Sequence, residues 1–233
     1  MKSIIVWDIP TRLFHWLFVL SFTIAFITAE FESWIAVHVF AGLVMFGLLA
    51  YRLIWGIIGS RYARFSSFLF APGVATKYLL DSLQGKSDRY IGHNPAGSWA
   101  VYFMLLLGLG ISVSGLPLLS GGELWEEVHE VLSYGALTVV VVHITGVVVS
   151  SMLHRENLPR AMVTGRKKGE ESQGIRSSRP ISAIVLLVLL AAFSISYWNG
   201  WDSQSQTIKL PFIDQPLSLA ENDEGDEHEE DDD

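Results

Sequence analysis

Five apolar runs dominate this chain and leave it few ways to fold. They are Leu13 to Ala29, Trp34 to Gly56, Ala96 to Leu119, Glu126 to Met152 and Ile181 to Trp198. A helix of about 20 residues crosses the roughly 30 Å hydrocarbon core of a bilayer. The expected class is therefore an all-α membrane protein. Composition agrees: 50% of residues are hydrophobic and 17% charged, with mean hydropathy +0.37, too little polar surface for a soluble domain. The first run has the length of a signal peptide but no A-x-A cleavage pattern. It also holds His15, so it is read as a retained span. There is no cysteine, which removes thiolate metal sites, iron–sulfur clusters, disulfides and covalent haem attachment. A bound metal would have to lean on histidine, methionine or carboxylate.

Between the runs lie a polar lead, Met1 to Arg12, and a polar, basic loop from Gly56 to Pro95. Pro72 and Gly73 break that loop, and Val74 to Leu83 is expected as a short interfacial helix. The third run is expected to stop at Pro117 and the Gly121–Gly122 pair. Leu153 to Pro180 reads as a basic connection, with 166–180 as a cytoplasmic linker. Beyond the fifth helix, 181–198, the residues 199–233 read as an acidic, extended or disordered tail. Ten of the 24 acids lie in Glu221 to Asp233, which has no Lys or Arg; without them the net charge of −8 becomes +2.

Lysine and arginine set the orientation. Two lie at or before position 12, six between 52 and 95 and seven between 154 and 180. In a five-span topology these fifteen of sixteen fall on one side, while Glu30 to Ser33 and Ser120 to Glu127 carry acids only. The positive-inside rule puts the N-terminus in the cytoplasm and the C-terminus outside. The tryptophans Trp7, Trp16, Trp34, Trp55, Trp99, Trp125 and Trp198 mostly mark span ends, as an interfacial belt would.

Four histidines fall inside the spans: His15, His38, His129 and His143. An intramembrane ionisable group is a functional candidate by default. His129 and His143 share the fourth run. At about 100° per residue, the steps between them fall short of four turns by about 40°. At about 1.5 Å per residue they are roughly 21 Å apart in depth. Between them on that face lie the small or slim Ser133, Ala136 and Val140. Depth matches His38 with His129 near the outer surface, and His15 with His143 nearer the cytoplasm. Each pair could hold the iron of a flat macrocycle from both sides, an arrangement suited to electron transfer. Gly42 and Gly146 leave room for a ring edge. His143 is deeper from its helix end than His15 is, and His154, on the same face, stays an alternative ligand. A single buried histidine is more often a helix–helix hydrogen-bonding residue. A zinc-type site would want several ligands at one depth.

Several stretches together resemble one family. They are VWDIPTRLFHWLFVL in the first span, HVFAGLVMFGLLAYRLIWGIIGSRYARF in the second, IGHNPAGSWAV before the third, and VHEVLSYGALTVVVVHITGVVVSSMLHRENLPRAMVTG in the fourth. In that order they are similar to the prokaryotic cytochrome b561 family, with the cytochrome b subunits of nickel–iron hydrogenases as the nearest branch. The resemblance covers about Lys2 to Gly165 and implies a domain at 1–165: a four-helix transmembrane bundle with a fifth helix outside it. It implies two non-covalent haem b groups with bis-histidine ligation by His15, His38, His129 and His143. It also implies electron exchange between the quinone pool and a redox partner in the bacterial inner membrane. That partner is a periplasmic c-type cytochrome or, alternatively, a hydrogenase or other dehydrogenase that the chain anchors. A second copy of the chain is a further candidate partner, lipid surrounds the bundle, and nucleic acid is not expected.

Arg12 and Arg52 are candidates for a haem propionate, or else plain cytoplasmic-side anchors, Arg52 snorkelling from its helix end. The His93–Asn94 pair could meet a quinone carbonyl or a propionate, or simply cap the third span. The acidic tail could steer a cationic partner or be only a solvated end. A haem-free transporter or ion-binding protein is the remaining alternative class.

Overall fold

The computed structural model describes residues 2–119, 124–210 and 215–219. The Gly121–Gly122 stop and the acidic residues from 221 on lie outside the described residues.

The first long helix begins earlier than hydropathy implies. Asp8 is fully buried, and its Oδ1 accepts the Thr11 N–H at 2.7 Å, so it is the N-cap of α1 (Ile9–Thr28). Pro10 then sits in the first turn, where its missing N–H costs nothing. The Asp8 carboxylate also accepts the Trp55 indole N–H at 3.2 Å. That bond ties the start of α1 to the end of α2 (Ile35–Ile58). α3 (Pro72–Leu83) is the interfacial helix of the long loop. α4 (Pro95–Leu118) is capped by Asn94, which accepts the Gly97 N–H at 2.7 Å. α5 (Leu124–Leu153) carries His129 and His143. α7 (Pro180–Gly200) is the fifth long helix. Among the described residues, five helices are long and apolar enough to cross a membrane.

The packing order is α1 on α2, α2 on α4 and α4 on α5, with α7 against the outer side of α1 and α2. Val44 and Leu48 of α2 and Leu186 of α7 form one buried cluster with Phe14, Leu17 and Phe18 of α1. Small residues bring α4 and α5 together, as they do in lipid. A Cβ on Gly110 would come within 3.1 Å of Leu132, and one on Gly115 within 3.2 Å of His129.

Both ends of the bundle carry short strands that hydropathy did not reveal. The polar lead is β1 (Lys2–Ile5), paired antiparallel with β2 (Arg166–Gly169), Lys2 opposite Gly169. So the basic connection is not a plain linker: it holds α6 (Leu158–Thr164) and β2. Gly165 makes the turn between them, at φ 75°, and its carbonyl accepts the Val6 and Trp7 N–H groups. A Cβ there would also meet the Trp7 carbonyl at 2.6 Å, so glycine is required on both counts. At the opposite end, β3 (Trp201–Asp202), β4 (Thr207–Ile208) and β5 (Leu217–Ser218) form a small sheet. The described part of the expected tail is therefore folded, with Ile208 and Leu219 buried against Ala36 and Tyr197. The tryptophans divide: Trp16, Trp34, Trp125 and Trp198 are exposed at span ends, whereas Trp7 and Trp55 are buried.

Glu156, just past α5, joins the loops of the N-terminal end. Arg89 Nε donates to it at 2.6 Å and Lys167 Nζ at 3.0 Å. Burial pushes this carboxyl up, but the hydrogen bonds from Arg89 and Lys167 outweigh it, and its pKa lies below the ordinary 4.5. A depressed carboxylate stabilises the fold above its unfolded pKa, and that contribution is lost as pH falls through the folded value. Thermal unfolding in detergent should show an acid limb below about pH 4.5 that Glu156→Gln flattens. Asp8→Ala removes a helix cap and orphans a buried indole. It should cost about 2 to 3 kcal/mol in denaturant unfolding, and an unchanged midpoint would count against the cap.

Candidate functional site

A cavity of about 870 Å³ opens at the end of the bundle away from the N-terminus. That volume falls within the range of cofactor and ligand pockets. Its wall takes His38, Gly42 and Met45 from α2, Gly115 from α4 and His129 and Ser133 from α5. A side chain at Gly42 would meet nothing within 4 Å, so the missing Cβ is open space in that wall.

His38 and His129 face each other across it, ring centroids 6.1 Å apart and planes at 65°. For zinc, a metal–imidazole bond is about 2.0–2.1 Å. Two such bonds end to end, plus half of each ring behind its nitrogen, come to about 6 Å. The separation is therefore right for one ion held axially by both rings. The orientation of each ring is fixed from behind. His38 Nδ1 is 2.9 Å from the Ala25 carbonyl, and His129 Nδ1 is 3.1 Å from Ser114 Oγ. Ser114 is itself anchored by donating to the Ile111 carbonyl at 3.1 Å. A hydrogen bond at Nδ1 leaves Nε2 free to ligate.

The second pair is arranged differently. His15 and His143 are within electrostatic reach of each other, with no ring contact between them. Around them the N-terminal end concentrates polar atoms that have nothing to bond. Among the described residues, the buried side-chain atoms without a hydrogen-bond partner are Thr11 Oγ1, Arg12 Nε, His15 Nδ1, Tyr51 Oη, Arg52 Nη1, Ser60 Oγ, Ser87 Oγ and His93 Nδ1. All belong to this end. An unsatisfied buried polar group costs about 1–3 kcal/mol, so such a concentration fits a ligand that brings acceptors. A macrocycle with anionic side groups near Arg12 and Arg52 is such a ligand.

Arg52 does not snorkel. It is 3% exposed, with its guanidinium 4.6 Å from the Phe65 ring centre and 6.0 Å from that of Phe14. The hydropathy plot put it at a helix end; the fold covers that end with the α2–α3 loop. Arg12 lends Nη1 to the Val163 carbonyl, which leaves Nε unpaired. His93 is wedged against Trp7 at 4.8 Å and Phe68 at 4.2 Å. Burial, then Arg52, His143, Lys167 and His15, holds its pKa down to about 3, so the imidazole is neutral at any working pH. Of the His93–Asn94 pair, Asn94 supplies the cap of α4. His154 lies just past α5 with Nε2 3.5 Å from the Tyr78 hydroxyl of α3. Among the described residues, no three His, Cys, Asp or Glu converge as a metal-binding group.

Sequence reasoning missed Asp8, Ser114 and the Ala25 carbonyl. Asp8-x-Pro10 is a helix-start signature that could have been read. The other two depend on which helices become neighbours.

Gly42→Leu should fill part of the cavity and displace a flat ligand from between the two rings. The optical spectrum of the purified variant checks this: the contribution of a ligand at this site should be lost, and a wild-type spectrum would contradict the placement.

Residues 6–165 match the family described as "Prokaryotic cytochrome b561". Among curated proteins, a "Probable Ni/Fe-hydrogenase B-type cytochrome subunit" of Cupriavidus necator is 21% identical over 220 residues, covering 71% of this chain and 87% of the relative. A Rhodobacter capsulatus protein of the same description is 20% identical, covering 71% of this chain and 81% of its own length. A "Probable Ni/Fe-hydrogenase 1 B-type cytochrome subunit" of Escherichia coli is 27% identical over 145 residues, covering 49% of this chain and 60% of that protein. No solved structure matches.

Proposed function

The chain belongs to the prokaryotic cytochrome b561 family, and from that premise we propose that it carries electrons through the membrane on two haem b groups. As a family member it is an integral membrane b-type cytochrome with five apolar helices. His38 and His129 hold one haem, and His15 and His143 hold the other. The observation that carries the reading is the His38–His129 separation of 6.1 Å, with both Nδ1 atoms already engaged by the protein. Bound haem supplies one-electron redox chemistry, and the residues set where it sits and how stable each oxidation state is. Arg12 and Arg52 offer donors to propionates at the N-terminal end. His93, neutral and unpaired at Nδ1, offers hydrogen bonding to a propionate or to a quinone carbonyl there. Both roles draw support from the unpartnered atoms of that end.

The charge asymmetry of the loops supports a cytoplasmic N-terminus and an outer, periplasmic His38–His129 site. A quinone or quinol then reacts at one haem and a redox partner at the other. That partner is a periplasmic c-type cytochrome in one reading. The names of the curated relatives favour a second reading, in which the chain is the membrane subunit of a hydrogenase or another dehydrogenase. Co-purification of a large metalloenzyme would select the second. A homodimer remains compatible with either.

The test is a reduced-minus-oxidised spectrum with pyridine haemochrome quantitation on wild type, His129→Ala and His143→Ala. The wild type should hold two haems per chain, and each variant should lose a different one. Wild-type haem content in both variants would show the ligand assignment to be wrong.

A further inference from the structure

The family match ends at residue 165, yet the wall of the outer cavity does not. It includes Gln206 and Leu219, which lie beyond α7. The local chemistry explains how a short polar stretch reaches that position. Asp202 Oδ1 accepts the Gln204 N–H at 2.9 Å and Oδ2 the Ser205 hydroxyl at 2.8 Å, which closes a tight turn after β3. Gln206 takes a left-handed conformation at φ 47°, and β4 returns with Ile208 opposite Trp201. β5 adds Leu217 opposite Ile208, and the Leu219 N–H donates to the Gln206 carbonyl at 2.9 Å. That bond joins the two wall residues.

The sheet is held down where it matters. Ile208 is fully buried and Leu219 is 9% exposed. They pack with Ala36, Ile35, Val39 and Leu43 of α2 and with Leu119 after α4. The buried Tyr197 hydroxyl donates to the Ala36 carbonyl at 2.7 Å, two residues from His38. Val39 and Leu43 line the cavity as well. The cap is thus anchored to the turn of α2 that presents His38. Gln206 and Leu219 share the cavity wall with the exposed Glu30, Glu32, Glu126 and Glu130.

We propose that residues 201–210 and 215–219 are the outer wall of the outer haem site, with Leu219 and Gln206 acting as positioning residues that keep water from the haem and so tune that haem alone. This rests on the assignment of His38 and His129 to a haem. The ferric form carries one more positive charge than the ferrous form, and a low-dielectric wall disfavours it. Admitting water should therefore lower the outer midpoint potential, and loosening the cap on the α2 turn that presents His38 should let a small ligand compete for that histidine's place. The inner site is at the far end of the bundle and should not respond.

The experiment uses the full-length holoprotein in nanodiscs. Redox titrations that resolve the two haems are run on wild type, Leu219→Ser and Gln206→Ala, with carbon monoxide binding to the reduced protein as a second readout. A chain ending at Leu219, which keeps the wall and lacks the acidic residues after it, separates an electrostatic effect of those acids. That truncation should raise the outer potential, since it removes anions that favour the ferric form. The wall substitutions should lower it and create a carbon monoxide-reactive fraction. Midpoints equal to wild type in both wall variants, or an equal shift of both haems, would overturn the proposal. Failure of the underlying assignment reads differently: His129→Ala would then leave both redox components in place.

Discussion

An imidazole inside an apolar slab has two nitrogens to satisfy, and no water to do it. The bundle resolves this at His38 and His129 by giving each Nδ1 to the protein, to the Ala25 carbonyl and to Ser114. Each ring is then held from behind, with its other nitrogen left to a ligand and the two ring centres 6.1 Å apart. Most of the architecture follows from that requirement. α1 must run beside α2 so that Ala25 can reach His38, and α4 must press on α5 so that Ser114 can reach His129. The second contact is close because Gly115 follows Ser114. Any larger residue there would drive its Cβ to 3.2 Å from the His129 ring.

The two ends of the bundle each hold two histidines of the spans, but they differ in charge. The N-terminal end is folded over by β1, β2 and α6, and it encloses Arg12, Arg52 and the neutral His93 among aromatic rings. A cation beside a haem favours the ferrous state, and an anionic propionate partly cancels it. No Lys or Arg lines the opposite cavity among the described residues, and Glu30, Glu32, Glu126 and Glu130 stand at it. Two haems at the proposed sites would therefore meet unlike surroundings, which is the condition for moving a charge in a preferred direction between them.

The spans were legible because each is a local property: enough apolar residues in a row for the bilayer's thickness. The closeness of His38 and His129 was legible for a related reason. Helix rise converts position into depth, and antiparallel topology then matches His38 with His129 without knowledge of the packing. What hydropathy could not reveal is where distant segments pair. β1 and β2 are joined across some 160 residues of chain and read in isolation as a polar lead and a linker. Arg52 looked like a snorkelling side chain because its surroundings come from loops that fold back over it. The edge of a two-residue strand such as β4 carries almost no periodic signal, so a segment that reaches the cavity was read as part of a tail.

α5 is the helix that carries a histidine of each pair, and it is also the span with the least burial, 6% of its most apolar window. It leans on α4 along its length and meets α2 through the His38–His129 contact. Lipid cannot supply an attractive force between helices whose surfaces are as apolar as itself, so association rests on close packing and polar contacts. For α5 those contacts are the glycine-lined seam with α4, the Ser114 hydrogen bond and the imidazoles themselves. A prosthetic group bridging α5 to α1 and α2 would thus be structural as well as redox-active. Each axial bond would fix one depth of α5 against a partner helix, and two depths along one rod determine both its tilt and its rotation.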